Sequence, residues 1–352
     1  MIVLLAALVL GGLAWLAWRK AGNHTSALAA DVPLRPLGRP SGGRSIPAGQ
    51  LSGGRIVASG LTKQYRDVKA VDSLSFVVEP GRVTGFLGPN GAGKTTTLHM
   101  LLGLAEPTAG TATVGGLRYA DLDQPVRRVG AVLESGAAHK GRSGRDHLRV
   151  LCLEAGLPLA RADEVLELTG LTAAGHRAFG GYSLGMRQRL AVAAALLGDP
   201  QVLILDEPGN GLDPEGIRWM RDLLRTLAAR GRTILVSSHQ LPEMELLADD
   251  LIIIAAGRLA AMGPLASVVD SMARGGRTLV RTPEPEKLTA ALGSDAVVTP
   301  GEARELYVTG MDAAAIGDAA QQAGIAIHQL TTERPDLEAV FLELTAGKAA
   351  IR

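Results

Sequence analysis

Cysteine is almost absent from this 352-residue chain. The single Cys152 excludes an internal disulfide and any cysteine-based zinc cluster, and reads as a buried helical thiol in a reducing compartment. Aromatic residues make up only 3%, which argues against a surface that stacks nucleic-acid bases. Neither sign of charge dominates: 36 Lys and Arg against 35 Asp and Glu leave a formal net charge of +1, so no global field draws a polyanion. No heptad array runs along the chain either. Apolar residues, at 47%, are plentiful enough for a sizeable core, and the length leaves room for one large domain and a small one.

Against that background three segments carry chemistry. GPNGAGKTT, at Gly88–Thr96, fits the phosphate-binding pattern G-x-x-x-x-G-K-[ST]. Its glycines, Gly88, Gly91 and Gly93, let the backbone approach a phosphate chain and turn N–H groups inward, with Pro89, Asn90 and Ala92 completing the loop. The helix predicted over Thr95–Leu102 adds the positive end of its dipole. Lys94 then reaches the β- and γ-phosphates, the Thr95 hydroxyl is a ligand for Mg²⁺, and Thr96 continues the helical first turn. The apolar run Val83–Leu87 supplies the strand that such a loop must follow.

LILDEP, at Leu203–Pro208, is the second segment. Val202–Leu205 is apolar throughout, as expected of a strand buried on both faces of a parallel sheet, and it delivers Asp206 and Glu207 at its C-terminal end, where open α/β sheets bind ligands. Strand alternation sends the two carboxylates in different directions. Asp206 is assigned to Mg²⁺ and Glu207 to polarising an attacking water. Alone, such a pair also reads as two solvated acids ending a strand; the phosphate loop makes the difference.

With YSLGMRQRL at Tyr182–Leu190, these segments resemble the nucleotide-binding subunit of an ATP-binding cassette (ABC) transporter, from Ile56 to about Met272. YSLGM is similar to the family's LSGGQ-type signature, keeping Ser183 and Gly185 while Tyr182, Leu184 and Met186 differ. Outside that context the stretch is only a serine helix cap. The resemblance implies that Ser183 and Gly185 contact the γ-phosphate of ATP held by a second copy in a head-to-tail dimer. It also implies that Tyr65 stacks on adenine, although an ordinary strand aromatic remains the other reading. Asp213, within Gly211–Pro214, falls in the D-loop joining the two sites, and His239, closing the run Thr233–Ser238, is the histidine that senses the γ-phosphate. Glu134 stands where many family members have glutamine, which puts metal geometry and coupling in doubt because it adds charge to an anionic site. The other histidines have no assigned role.

The expected fold is a P-loop α/β cassette, with a mostly parallel core sheet, an antiparallel β subdomain and a helical subdomain, followed by a small α+β unit. The expected organisation places a single membrane-spanning helix at 1–20, a Gly/Pro/Ser/Arg linker at 21–54, the ATPase domain at 55–273 and the accessory unit at 274–352. Ile2–Trp18 carries no charge and is followed by Arg19-Lys20, the flank of a helix whose C-terminal end faces the cytoplasm. A cleaved signal and a mis-assigned start to the chain remain the alternatives. Strands are expected at Ile56–Leu61, Leu74–Val78, Leu251–Ile254, Gly257–Leu259, Thr278–Arg281, Glu305–Thr309 and Ile325–Leu330, with helices at Pro285–Leu292, Ala313–Ala323 and Leu337–Leu344. The functional expectation is an ATP-hydrolysing subunit at the cell membrane, its ATPase domain on the cytoplasmic face. It energises a separate permease that exports a drug, antibiotic or peptide, with no nucleic-acid partner. The alternative is a non-transport ABC ATPase acting on the ribosome or DNA.

Overall fold

The computed structural model describes residues 54–133, 138–268, 277–293, 296–302 and 304–333. The apolar run Ile2–Trp18, the linker up to residue 53, Glu134 and the helix expected at Leu337–Leu344 lie outside them. Among the described residues no helix is long and apolar enough to cross a membrane.

Thirteen strands lie among the described residues: β1 Ile56–Tyr65, β2 Val68–Val78, β3 Val83–Leu87, β4 Ala109–Val114, β5 Val129–Val132, β6 Val202–Asp206, β7 Thr233–Ser238, β8 Asp250–Ala255, β9 Arg258–Pro264, β10 Arg277–Arg281, β11 Val297–Pro300, β12 Glu305–Thr309 and β13 Gln329–Glu333. They form three sheets, ordered β2-β1-β4, β5-β6-β7-β3-β8-β9 and β11-β12-β10-β13. The central six-stranded sheet is parallel except for the β8–β9 hairpin. That hairpin turns on Ala256 and Gly257, both at positive φ, the conformation a two-residue type I′ turn demands. A side chain at 257 would meet the Ala70 carbonyl at 2.8 Å, so this glycine is required by space as well.

The apolar runs of the central strands divide between the two faces by simple alternation. Leu203, Leu205, Ile234, Val236, Leu251 and Ile253 enter one core with helical residues such as Leu148, Cys152, Val165, Leu190 and Leu224. Val202, Ile204, Leu235, Ile252 and Ile254 enter the other, beside β1, β2 and β4 and against Leu98 and Leu101 of the helix Lys94–Leu101. The sheet is thus covered on both sides, which is why its strands read as unbroken hydrophobic runs.

Residues 277–333 run strand–helix–strand–strand–helix–strand, and the sheet order makes this a ferredoxin-like α+β unit. Val280, Leu306 and Val308 face Leu288, Leu292, Ile316 and Ala320 from the helices Pro285–Leu292 and Ala313–Gln322. One expectation needs correction: the last strand begins at Gln329, not Ile325. Ile325 instead closes the preceding helix. Its N–H donates to the Ala320 carbonyl over 2.9 Å behind Gly324 at positive φ, a Schellman arrangement that drops the side chain into the core. Strands β4 and β11 had no expectation, because they are short or rich in Ala, Gly and Pro. β5 corrects the helical spacing expected over Val126–Leu168, since Val129–Val132 pairs in parallel with β6.

Candidate functional site

β3 ends at Leu87 and the helix Lys94–Leu101 begins seven residues later, so the intervening loop lies at the C-terminal edge of the parallel sheet. Its curvature rests on Gly91 at φ 81° and Gly93 at φ 100°, values that L side chains rarely adopt. At Gly93 a side chain would also strike the Ala70 carbonyl, 2.5 Å away. The N–H groups of the helix's first turn have no acceptor within the helix.

Lys94 is 6% exposed and donates to the Gly88 carbonyl over 2.7 Å, with Pro89 O at 3.4 Å. Its ammonium stands 3.5 Å from Glu207 Oε1. Burial pulls the Lys94 pKa below its ordinary value, while Glu207 and Asp206 oppose that fall. Thr95 Oγ1 donates to Asp206 Oδ2 over 2.7 Å, tying the loop helix to β6.

Asp206 ends β6 beside Ser237 of β7, in parallel register. Ser237 Oγ donates to Asp206 Oδ1 and accepts from the Glu207 N–H over 2.9 Å, so one hydroxyl orients both acids. Glu207 sits at φ 47°, a left-handed backbone uncommon for a glutamate, where the chain turns out of the strand. Asn210 Nδ2 donates to Glu207 Oε2 over 2.5 Å. His239 Nδ1 approaches the same oxygen at 3.2 Å without the alignment of a hydrogen bond. Burial would raise the Glu207 carboxyl, but Asn210, His239 and Lys94 together hold it below the usual range. Ser237 and Asn210 escaped the sequence reading. Asn210's spacing three residues after Glu207 was available as a signal, whereas Ser237 becomes visible only once β6 and β7 pair.

The remaining candidates form a second group. Ser183 caps the helix Leu184–Leu196, its hydroxyl accepting from Met186 N over 3.2 Å. Asp213 caps the helix Pro214–Ala229, accepting from Gly216 N over 2.7 Å. Tyr182 departs from the signature's leucine because it is core: it is 4% exposed and its hydroxyl donates to Ala174 O over 2.8 Å. Gly144 makes the room, since a Cβ there would lie 2.2 Å from that hydroxyl. Tyr65 is 49% exposed at the end of β1, with Lys63 Nζ 5.1 Å from the ring centre. Among the described residues no hydrogen bond or ion pair joins Ser183, Gly185 or Tyr65 to the glycine loop.

A buried ammonium, a helix start and a hydroxyl–carboxylate pair make a donor set that fits a nucleoside triphosphate with a divalent cation. A carboxylate with a histidine and an asparagine at its elbow fits proton abstraction from water.

Comparison with known proteins agrees. The family model described as "ABC transporter" matches residues 71–210, and a domain of unknown function matches residues 276–338. An uncharacterized ABC transporter ATP-binding protein of Bacillus subtilis, YhcH, is 36% identical over 288 residues, covering 81% of this chain and 94% of that protein. The daunorubicin resistance ATP-binding protein DrrA3 of Streptomyces coeruleorubidus is 37% identical, covering 84% of this chain and 98% of that protein. The bacitracin transport ATP-binding protein BcrA of Bacillus licheniformis is 45% identical, covering 58% and 68%. Among solved structures, an ATP binding subunit of an ABC transporter superposes with TM-score 0.57 at 29% identity, over 61% of this chain and 92% of that one. The chain therefore belongs to the ABC transporter family, as an ATP-binding, ATP-hydrolysing subunit.

Proposed function

We propose that this chain binds ATP with Mg²⁺ in the loop Gly88–Thr96 and hydrolyses it at Glu207, in a head-to-tail dimer that drives a separate membrane permease. The observation that carries the reading is the meeting of Lys94 and Thr95, from the loop helix, with Glu207 and Asp206 from β6. Lys94 holds phosphate charge, and the loop N–H groups of Gly91, Gly93, Lys94, Thr95 and Thr96 share that task, while the Ala92 N–H closes the loop on the Pro89 carbonyl. Thr95 Oγ1 and Asp206 hold Mg²⁺, which when bound neutralises phosphate charge. Asn210 fixes Oε2 of Glu207, and Oε1, which Lys94 approaches at 3.5 Å, takes the water's proton as that ammonium engages phosphate; His239, against Oε2, senses the nucleotide. Tyr65 stacks on the base, Ser183 and Gly185 reach ATP held by the partner copy, and Asp213 braces the loop between the sites. Glu134 is assigned to the cofactor site through the resemblance alone, where family members have glutamine facing Mg²⁺ or the water.

Export of a drug, antibiotic or peptide is the cargo class supported by relatives named for bacitracin transport and daunorubicin resistance, and a relative named for Nod factor export supports the direction. A ribosomal or DNA role has no such support. The run Ile2–Trp18 with its basic flank supports attachment to the membrane, with the ATPase on the cytoplasmic face. The test is Mg²⁺-dependent turnover by the purified full chain. Lys94→Ala should abolish ATP capture, and Glu207→Gln should keep ATP bound while turnover falls by about 10² or more. Near-normal turnover in Lys94→Ala would refute the reading.

A further inference from the structure

Leu184 stands where the LSGGQ-type pattern has a glycine, and its side chain is half exposed at the start of the signature helix. It nevertheless has a specific seat. A Cβ at Gly211 would lie 2.1 Å from Leu184 Cδ2 and 2.6 Å from its Cγ, so the leucine rests directly on the bare α-carbon of the D-loop glycine. Gly211 is at φ 78°, so that position also favours glycine for its backbone. One residue on, Leu212 Cδ2 lies 3.6 Å from the place of a Cβ at Gly185. The close contact is Leu184 on Gly211; beside Gly185, Leu212 leaves room for a methyl group.

The contact leads to the reacting carboxylate. Asn210 immediately precedes Gly211, and it holds Glu207 twice: Nδ2 donates to Oε2 over 2.5 Å and its backbone N–H to the Glu207 carbonyl over 3.1 Å. A glycine at 184 has no side chain to make the first link. We propose that Leu184 is a positioning residue, whose side chain locks the loop at Gly211 and through Asn210 sets the Glu207 carboxylate for hydrolysis. The inference rests on the proposed roles of Glu207 and the signature. It gives one subunit's signature, set on the partner's ATP, a physical link to the same subunit's own Glu207, so that closure at one site bears on chemistry at the other.

The test uses the full chain and four variants: Leu184→Ala, Leu184→Met, Gly211→Ala and the double variant L184A/G211A. Because Leu184 is half exposed, its truncation leaves the core intact. Leu184→Ala should lower kcat by about tenfold or more, with KM for ATP changed less than about twofold, and Leu184→Met should restore kcat. Gly211→Ala should lose more, since its methyl collides with the leucine. Shortening the leucine should return part of that loss, making the double variant faster than Gly211→Ala alone. Leu184→Ala at the wild-type kcat, or two losses that simply multiply, would overturn the proposal while leaving the ATPase reading intact. A wild-type chain that neither binds nor hydrolyses ATP would overturn both.

Discussion

The Thr95 hydroxyl lies 2.7 Å from Asp206 Oδ2, bridging the loop helix to the strand that carries the reacting acids. Two oxygens, one of them anionic, are thereby held side by side from separate elements, which suits a hard cation. Asp206→Asn keeps the shape and removes the charge. The gain in ATP affinity on adding Mg²⁺ should shrink by about tenfold or more, while binding in EDTA changes little. Titration of ATP with and without Mg²⁺ measures both arms, and an unchanged metal effect would remove Asp206 from the ligand set.

His147 gives the chain an acid-sensitive stability. Burial, with Arg142 adding to it, pushes its pKa down from 6.5 to about 4, and its Nδ1 is enclosed without a hydrogen-bond partner. The unfolded chain takes up a proton there that the folded chain resists. The neutral form's contribution is therefore fully present above pH 6.5 and is lost as pH falls towards 4. That loss is at most about 3 kcal/mol. Urea midpoints at neutral and acid pH should converge more in His147→Gln than in the wild type. Equal pH dependence in the two proteins would contradict the assignment.

Much of this was legible before any coordinates. The glycine loop, Asp206, Glu207 and His239 are local patterns whose geometry follows from strand–loop–helix sequence, and β3 and β7 match the residues expected of them. What escaped depends on contacts between distant segments. Ser237 joins Asp206 to Glu207 only because β6 and β7 pair in one register, and Tyr182 departs from the signature for the sake of a cavity opened by Gly144. Ile325 misled because a hydrophobic residue after a helix-ending glycine reads like the first residue of a strand.

The N-terminal run carries its own expectation. Deleting Met1–Lys20 should release an otherwise active ATPase from membranes, given an uncharged apolar stretch flanked by Arg19-Lys20. Fractionation of both forms, expressed without a permease, decides it. A full-length chain that is already soluble and monodisperse would contradict the anchor.

The head-to-tail dimer is the central claim, and mixed dimers test it most directly. Lys94→Ala and Ser183→Arg should damage opposite halves of one site, since Arg adds bulk where a phosphate is to lie against a helix start. Each homodimer then has two damaged sites. A mixed dimer has one doubly damaged site and one intact site, built from the healthy loop of one chain and the healthy signature of the other. The measurement is ATP occlusion with Glu207→Gln in every chain, so that captured nucleotide is not turned over. The account predicts that mixed dimers occlude ATP where neither parent does; occlusion at normal levels by Ser183→Arg homodimers would contradict it.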